Sequence, residues 1–182
     1  MTPLYWMVAF VIAQRSVELL IANRNTRRLL RAGGREHGSH TYPMIVILHA
    51  AWIVSIVLFI PADQHVTIGL IVTYFVLQLF RIWVIASLGH RWTTRIITLP
   101  GCPLVKTGPY RYIRHPNYVV VALEIALLPM AFDAWRLASI FTILNAIVLR
   151  HRIRAENTAL AEASVPNSQS RALPDKNDGD TG

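Results

Sequence analysis

The chain has 182 residues, 53% hydrophobic and only 15% charged, against roughly 25% charged in a soluble domain. With long apolar runs between its charges, it argues against a soluble globule and predicts an all-α integral membrane protein. A net charge of +8 would suggest nucleic acid in a soluble protein, but here the basic residues flank apolar segments, so they mark an anionic membrane face and no nucleic-acid partner is expected.

Five apolar segments follow one another. The first, about 3–22, contains Arg15 and Glu18. It has no basic leader and no small-residue cleavage site, so it is read as a retained anchor. Arg24, Arg27, Arg28, Arg31 and Arg35 come next, then Gly33-Gly34 with Glu36, His37 and His40 nearby. Those three potential ligands have no further cluster near them in sequence, and a metal site needs three or four converging ligands, so no metal is expected. The second segment, about 43–61, carries His49; a short turn, Pro61-Ala62-Asp63-Gln64-His65, leads to the third, about 66–88, with Arg81. At 1.5 Å per residue these three suffice for a hydrocarbon core of about 30 Å.

The stretch from His90 to Tyr118 is too long and too basic for a simple connector. Trp92, Ile96, Ile97, Leu99, Leu104, Val105, Tyr110, Tyr112 and Tyr118 are interleaved through it, which argues against disorder. Its densest part is Gly108-Pro109-Tyr110-Arg111-Tyr112-Ile113-Arg114-His115-Pro116-Asn117-Tyr118. Gly108-Pro109 marks a turn where backbone can come close to a ligand. Pro116 suits the first turn of the next helix, whose N–H groups can face a carboxylate. A lipid anchor would need arginine and aromatic residues but no fixed order of them, so the order favours a binding site for an anionic, aromatic cofactor.

The fourth and fifth segments, about 117–132 with Glu124 and about 135–150, meet at Asp133-Ala134. At roughly 24 Å each they are short and form a tilted hairpin. Residues 150–160 continue the fifth helix beyond the membrane, with Arg152 and Glu156 four apart on one face. They read either as a surface ion pair or as two charges offered to a bound zwitterion. Residues 1–163 thus form one membrane domain of about five transmembrane helices, with a cytoplasmic cofactor-binding loop and a helix extension. Residues 164–182, rich in Ser, Pro, Asn, Asp and Gly, form a disordered cytoplasmic tail.

Charge fixes an orientation. Fifteen of the 18 basic residues follow the first, third and fifth segments. The positive-inside rule places these loops in the cytoplasm and the N-terminus outside a cell (inner) membrane. Arg15, Glu18, His49, Arg81 and Glu124 fall within spans. Ionisable groups at that depth either pair to fix helix packing or wall a polar pocket.

The two polar segments resemble the isoprenylcysteine carboxyl methyltransferase family, small membrane enzymes whose relatives include phospholipid N-methyltransferases. Leu104-Val105, Gly108, Tyr110 and Arg114-His115-Pro116-Asn117-Tyr118 match its first motif, and Arg152-Ile153, Glu156 and Leu160 its second. The resemblance implies S-adenosylmethionine as cofactor, lined by Cys102, Pro103, Leu104, Val105, Tyr110, His115, Pro116, Asn117 and Tyr118 and held by Glu156. It gives Arg152 to the anionic oxygen of a lipophilic or lipidated substrate entering from the bilayer. Cys102 stands where the family has histidine, Asn157 where it has a second glutamate, and Val120 where glycine is usual. The sequence looks closer to a bacterial branch, some members of which are thought to O-methylate alkylpyrones. The alternatives are a phospholipid N-methyltransferase, a reductase with a related C-terminal region, and a non-catalytic membrane protein that keeps the fold.

Overall fold

The computed structural model describes residues 2–100, 102 and 105–164. These form five α-helices: α1 Pro3–Arg31, α2 Thr41–Phe59, α3 Ile68–Leu88, α4 Pro116–Ala131 and α5 Trp135–Ser164. By length and composition α1, α2 and α3 can each cross a membrane, and α4 is a shorter apolar helix. Their outward faces carry large exposed side chains, among them Leu20, Leu58, Phe59, Ile68 and Leu79. Hydrocarbon around the molecule, in place of water, makes such surfaces stable. α1 runs nine residues beyond its apolar segment, and α5 continues past 150 as its sequence predicts. α5 ends at Ser164; residues 165–182, where the tail is expected, lie outside the described residues.

Two short strands, β1 Arg35–His37 and β2 Ile96–Thr98, pair antiparallel with Arg35 opposite Thr98 and His37 opposite Ile96. The all-α expectation therefore holds for the bundle and misses this small ladder beside it.

Packing comes in layers. At the end that holds the N-terminus, Leu4, Val11, Trp52, Ile56, Tyr74, Ile125, Leu128 and Phe132 form an apolar core drawn from α1 to α4 and the α4–α5 turn. That turn is tight: Asp133 adopts a left-handed φ of 57° and accepts a 2.6 Å bond from Trp135 Nε1.

A polar layer follows. Arg15 donates to Glu18 at 2.8 Å and to Glu124. Arg81 donates to Glu18 at 2.6 Å and to Glu124 at 3.0 Å. Gln14 joins Gln78 at 2.6 Å and Glu18 at 3.0 Å. Two guanidinium groups thus neutralise two carboxylates, and α1 is clasped to α3 and α4. Of the two readings open for these residues, the pairing that fixes helix packing is the one observed. His49 bonds within its own helix, to the Ile45 carbonyl. Asn145 of α5 is 1% exposed, and neither amide atom has a partner among the described residues.

Beyond this layer, the end of α1, the end of α3, the start of α4 and the second half of α5 converge.

Candidate active site

The start of α4 follows from local chemistry. Pro116 has no N–H to leave unpaired, and its fixed φ suits a first helical turn. His115 precedes it as the N-cap residue. One turn then brings His115 and Tyr118 to the same side, where their rings stack with centroids 5.5 Å apart.

Facing them is α5. Its residues Arg152 and Glu156 share a face, but they do not pair directly. The Tyr118 hydroxyl stands between them, donating to Glu156 Oε2 and accepting from Arg152 Nε at 3.0 Å. His115 Nδ1 lies 3.7 Å from Glu156 Oε1, an ion pair when the imidazole is protonated. Arg152 also donates through Nη2 to the Thr94 carbonyl. It is 5% exposed and has no carboxylate partner among the described residues. Of its possible roles, the exposed surface ion pair is therefore excluded. The nearest carboxylate to Arg152 in this group, Glu156, is reached only through the Tyr118 hydroxyl, so the guanidinium keeps the capacity to bond an anionic oxygen.

Tyr110 lies in a 3-10 turn, Gly108–Arg111, and packs half-buried against Leu77, Val84 and Val120. Burial, and the Glu156 carboxylate, push its hydroxyl above the usual tyrosine range. Gly108 has φ +56°, and a Cβ there would lie 2.2 Å from Ser87 Oγ and 3.3 Å from Trp83 Nε1. The close approach expected of this glycine is thus to α3. It seats the turn on that helix.

Among the remaining sequence candidates, Asn117 enters the first turn of α4 and Pro116 is buried. Cys102 is exposed, its N–H bonded to the Leu99 carbonyl. Val105 is half-buried; Pro103 and Leu104 lie outside the described residues. The structure thus gathers His115, Tyr118, Arg152 and Glu156 around one hydroxyl, and neither Cys102 nor Val105 hydrogen-bonds to that group. The Thr94 carbonyl escaped sequence reasoning because a backbone acceptor leaves no signature in residue type.

Four buried polar atoms, on members of this group and on their chain neighbours, have no partner among the described residues: Arg152 Nη1, His115 Nε2, Asn117 Oδ1 and Asn157 Oδ1. Buried polar groups are normally hydrogen-bonded, so an orphaned set of this kind fits a polar ligand. No group of three or more His, Cys, Asp or Glu able to hold a metal occurs among the described residues.

The sequence profile of the isoprenylcysteine carboxyl methyltransferase (ICMT) family matches residues 67–162, from α3 to the last turns of α5. The chain belongs to that family. It is therefore an integral membrane protein of a methyltransferase family, as its apolar helices and motifs foretold. The ICMT family match covers every residue of the His115–Glu156 group and leaves α1, β1 and α2 outside. Similarity extends further in whole-chain relatives. A Bacillus subtilis (strain 168) protein, YpbQ, is 37% identical over 167 residues, 89% of this chain and 99% of that protein. A Haemophilus influenzae protein is 24% identical over 159 residues, 84% of this chain and 92% of its own length. Both are described as uncharacterized. No solved structure matches significantly.

Proposed function

We propose that this protein is an S-adenosylmethionine-dependent O-methyltransferase acting on an acidic oxygen, a carboxylate or an enol such as a hydroxypyrone, of a lipophilic or lipidated acceptor. The observation that carries the reading is the buried Arg152 guanidinium with Nη1 free and no carboxylate partner. S-adenosylmethionine, when bound, supplies an electrophilic sulfonium methyl group. Glu156 offers its carboxylate to the cofactor's ammonium. His115, Asn117 and Asn157 present the orphaned atoms that its other polar groups need, with Tyr110, Tyr118, Pro116 and the segment Cys102 to Val105 as further walls. Arg152 holds the acceptor oxygen by charge-assisted hydrogen bonds. Such an acceptor is ionised at neutral pH, so no general base is required. The protein's task is to align nucleophile, methyl and sulfur and to keep water out. Tyr118 sets the spacing between the two charges it bridges.

The same guanidinium argues against an amine acceptor. A buried cation repels a protonated amine, and N-methylation would need a base to neutralise it. On this reading residues 1–163 are one domain of about five spans in the inner membrane. The N-terminus lies outside, and the site and C-terminus are cytoplasmic. Incubation of purified protein with methyl-labelled cofactor and host lipid extract, followed by mass spectrometry, tests the proposal. The expected label sits on oxygen in an acidic lipophilic product. Label on an amine would replace the reading with an N-methyltransferase, and cofactor binding without any labelled product would favour a non-catalytic protein.

A further inference from the structure

Arg152 owes one of its two fixed contacts to the carbonyl of Thr94. That carbonyl belongs to a strap, residues 89–98, linking α3 to β2. What holds the strap is N-terminal. Asn25, 9% exposed on α1, sends both bonds of its amide Nδ2 to strap carbonyls, Gly89 O at 3.2 Å and Trp92 O at 2.8 Å. Just past Thr94, Arg95 Nη1 donates to both Glu36 oxygens at 3.1 Å and lies over the Tyr42 ring, 5.0 Å from its centroid. Ile96 pairs with His37 in the strand ladder. Thr94 is therefore bracketed, two residues before and one and two after, by contacts from α1, β1 and α2. None of those elements lies in the family match, which begins at residue 67.

We infer that Asn25 is a positioning residue of the active site: through the Trp92 and Gly89 carbonyls it sets the Thr94 carbonyl, and through that the orientation of Arg152. The chemistry suits asparagine. One NH₂ carries two donors in a fixed fork, and two carbonyls converge on it. Aspartate has the shape and no donor; leucine has the size and no polarity. The N-terminal helices then do more than anchor the family domain, because they complete the wall against which the anion receptor is held. The inference rests on the reading of Arg152 as the group that meets the acceptor.

The test follows Arg152 directly. Purified wild-type protein and the variants Asn25→Leu and Asn25→Ala are treated with phenylglyoxal, and modified arginines are mapped by mass spectrometry. Arg81, 4% exposed in the polar layer, reports on the fold of the bundle. The expected result is modification of Arg152 about tenfold faster in the variants, the equivalent of one lost hydrogen bond, with Arg81 unchanged. Unchanged Arg152 reactivity overturns the inference. So does equal acceleration at Arg81, or failure of both variants to fold, since Asn25 would then be merely structural. A second measurement uses methyl-labelled S-adenosylmethionine and host lipid extract. The variants should lose methyl transfer and keep cofactor affinity, and a parallel loss of both overturns the inference. If wild-type protein methylates nothing, the proposed function fails, while the arginine labelling still decides the role of Asn25.

Discussion

One phenolic hydroxyl organises the site. Tyr118 donates to Glu156 and accepts from Arg152, so it ties a carboxylate to a guanidinium that otherwise do not touch. The two charges are assigned opposite clients, and their removal should have separable effects. Glu156→Ala should abolish measurable S-adenosylmethionine binding by calorimetry while circular dichroism stays wild type; an unchanged affinity would sink that assignment. Arg152→Ala should lower turnover by about 10- to 100-fold, the range for a hydrogen bond to a charged group, with a much smaller change in cofactor affinity. Wild-type turnover in this variant would refute its role. Arg152, Glu156, His115 and Tyr118 were all visible as candidates in the sequence, because each is a chemically distinct side chain in an ordered motif. The tyrosine bridge was not, because it depends on how α4 meets α5.

At the scale of elements, charge and shape hold the bundle in register. Arg81 and Glu124 are 4% and 0% exposed, so deleting either leaves the buried network of two guanidinium groups and two carboxylates with one uncompensated charge. Arg81→Met should cost about 3–5 kcal/mol of stability, read as a lower unfolding temperature in detergent. The double variant Arg81→Met, Glu124→Leu should lose less than the sum of the two single changes, because the pair is coupled. A strictly additive result would mean that Arg81 and Glu124 are not coupled. Gly108→Ala tests the seating of the Gly108–Arg111 turn on α3. The added Cβ would enter Ser87 Oγ at a φ that L residues rarely adopt, so the turn should lift from α3 and cofactor affinity should fall. Gly108→Ala combined with Ser87→Gly should recover part of the loss; no recovery would move the cause from contact to backbone strain alone.

At the scale of the whole molecule, the exposed Cys102 is the chain's single cysteine and therefore a ready reporter of sidedness. A membrane-impermeant maleimide should label it in inside-out vesicles and leave it unlabelled in right-side-out ones; the reverse pattern would invert the proposed topology. Hydropathy and residue order alone determined the apolar helices, the start of α4 at Pro116, the extension of α5 and the family. Those properties are written in local composition and spacing, and they hold whatever the helices pack against. Tertiary structure alone decided three things: Arg15, Glu18, Arg81 and Glu124 close on one another, Gly108 rests on α3, and β1 and Asn25 brace the strap behind Arg152. Each joins residues at least about twenty positions apart in sequence, and pairing over that distance depends on helix rotation and backbone carbonyls, neither of which a linear pattern of side chains encodes.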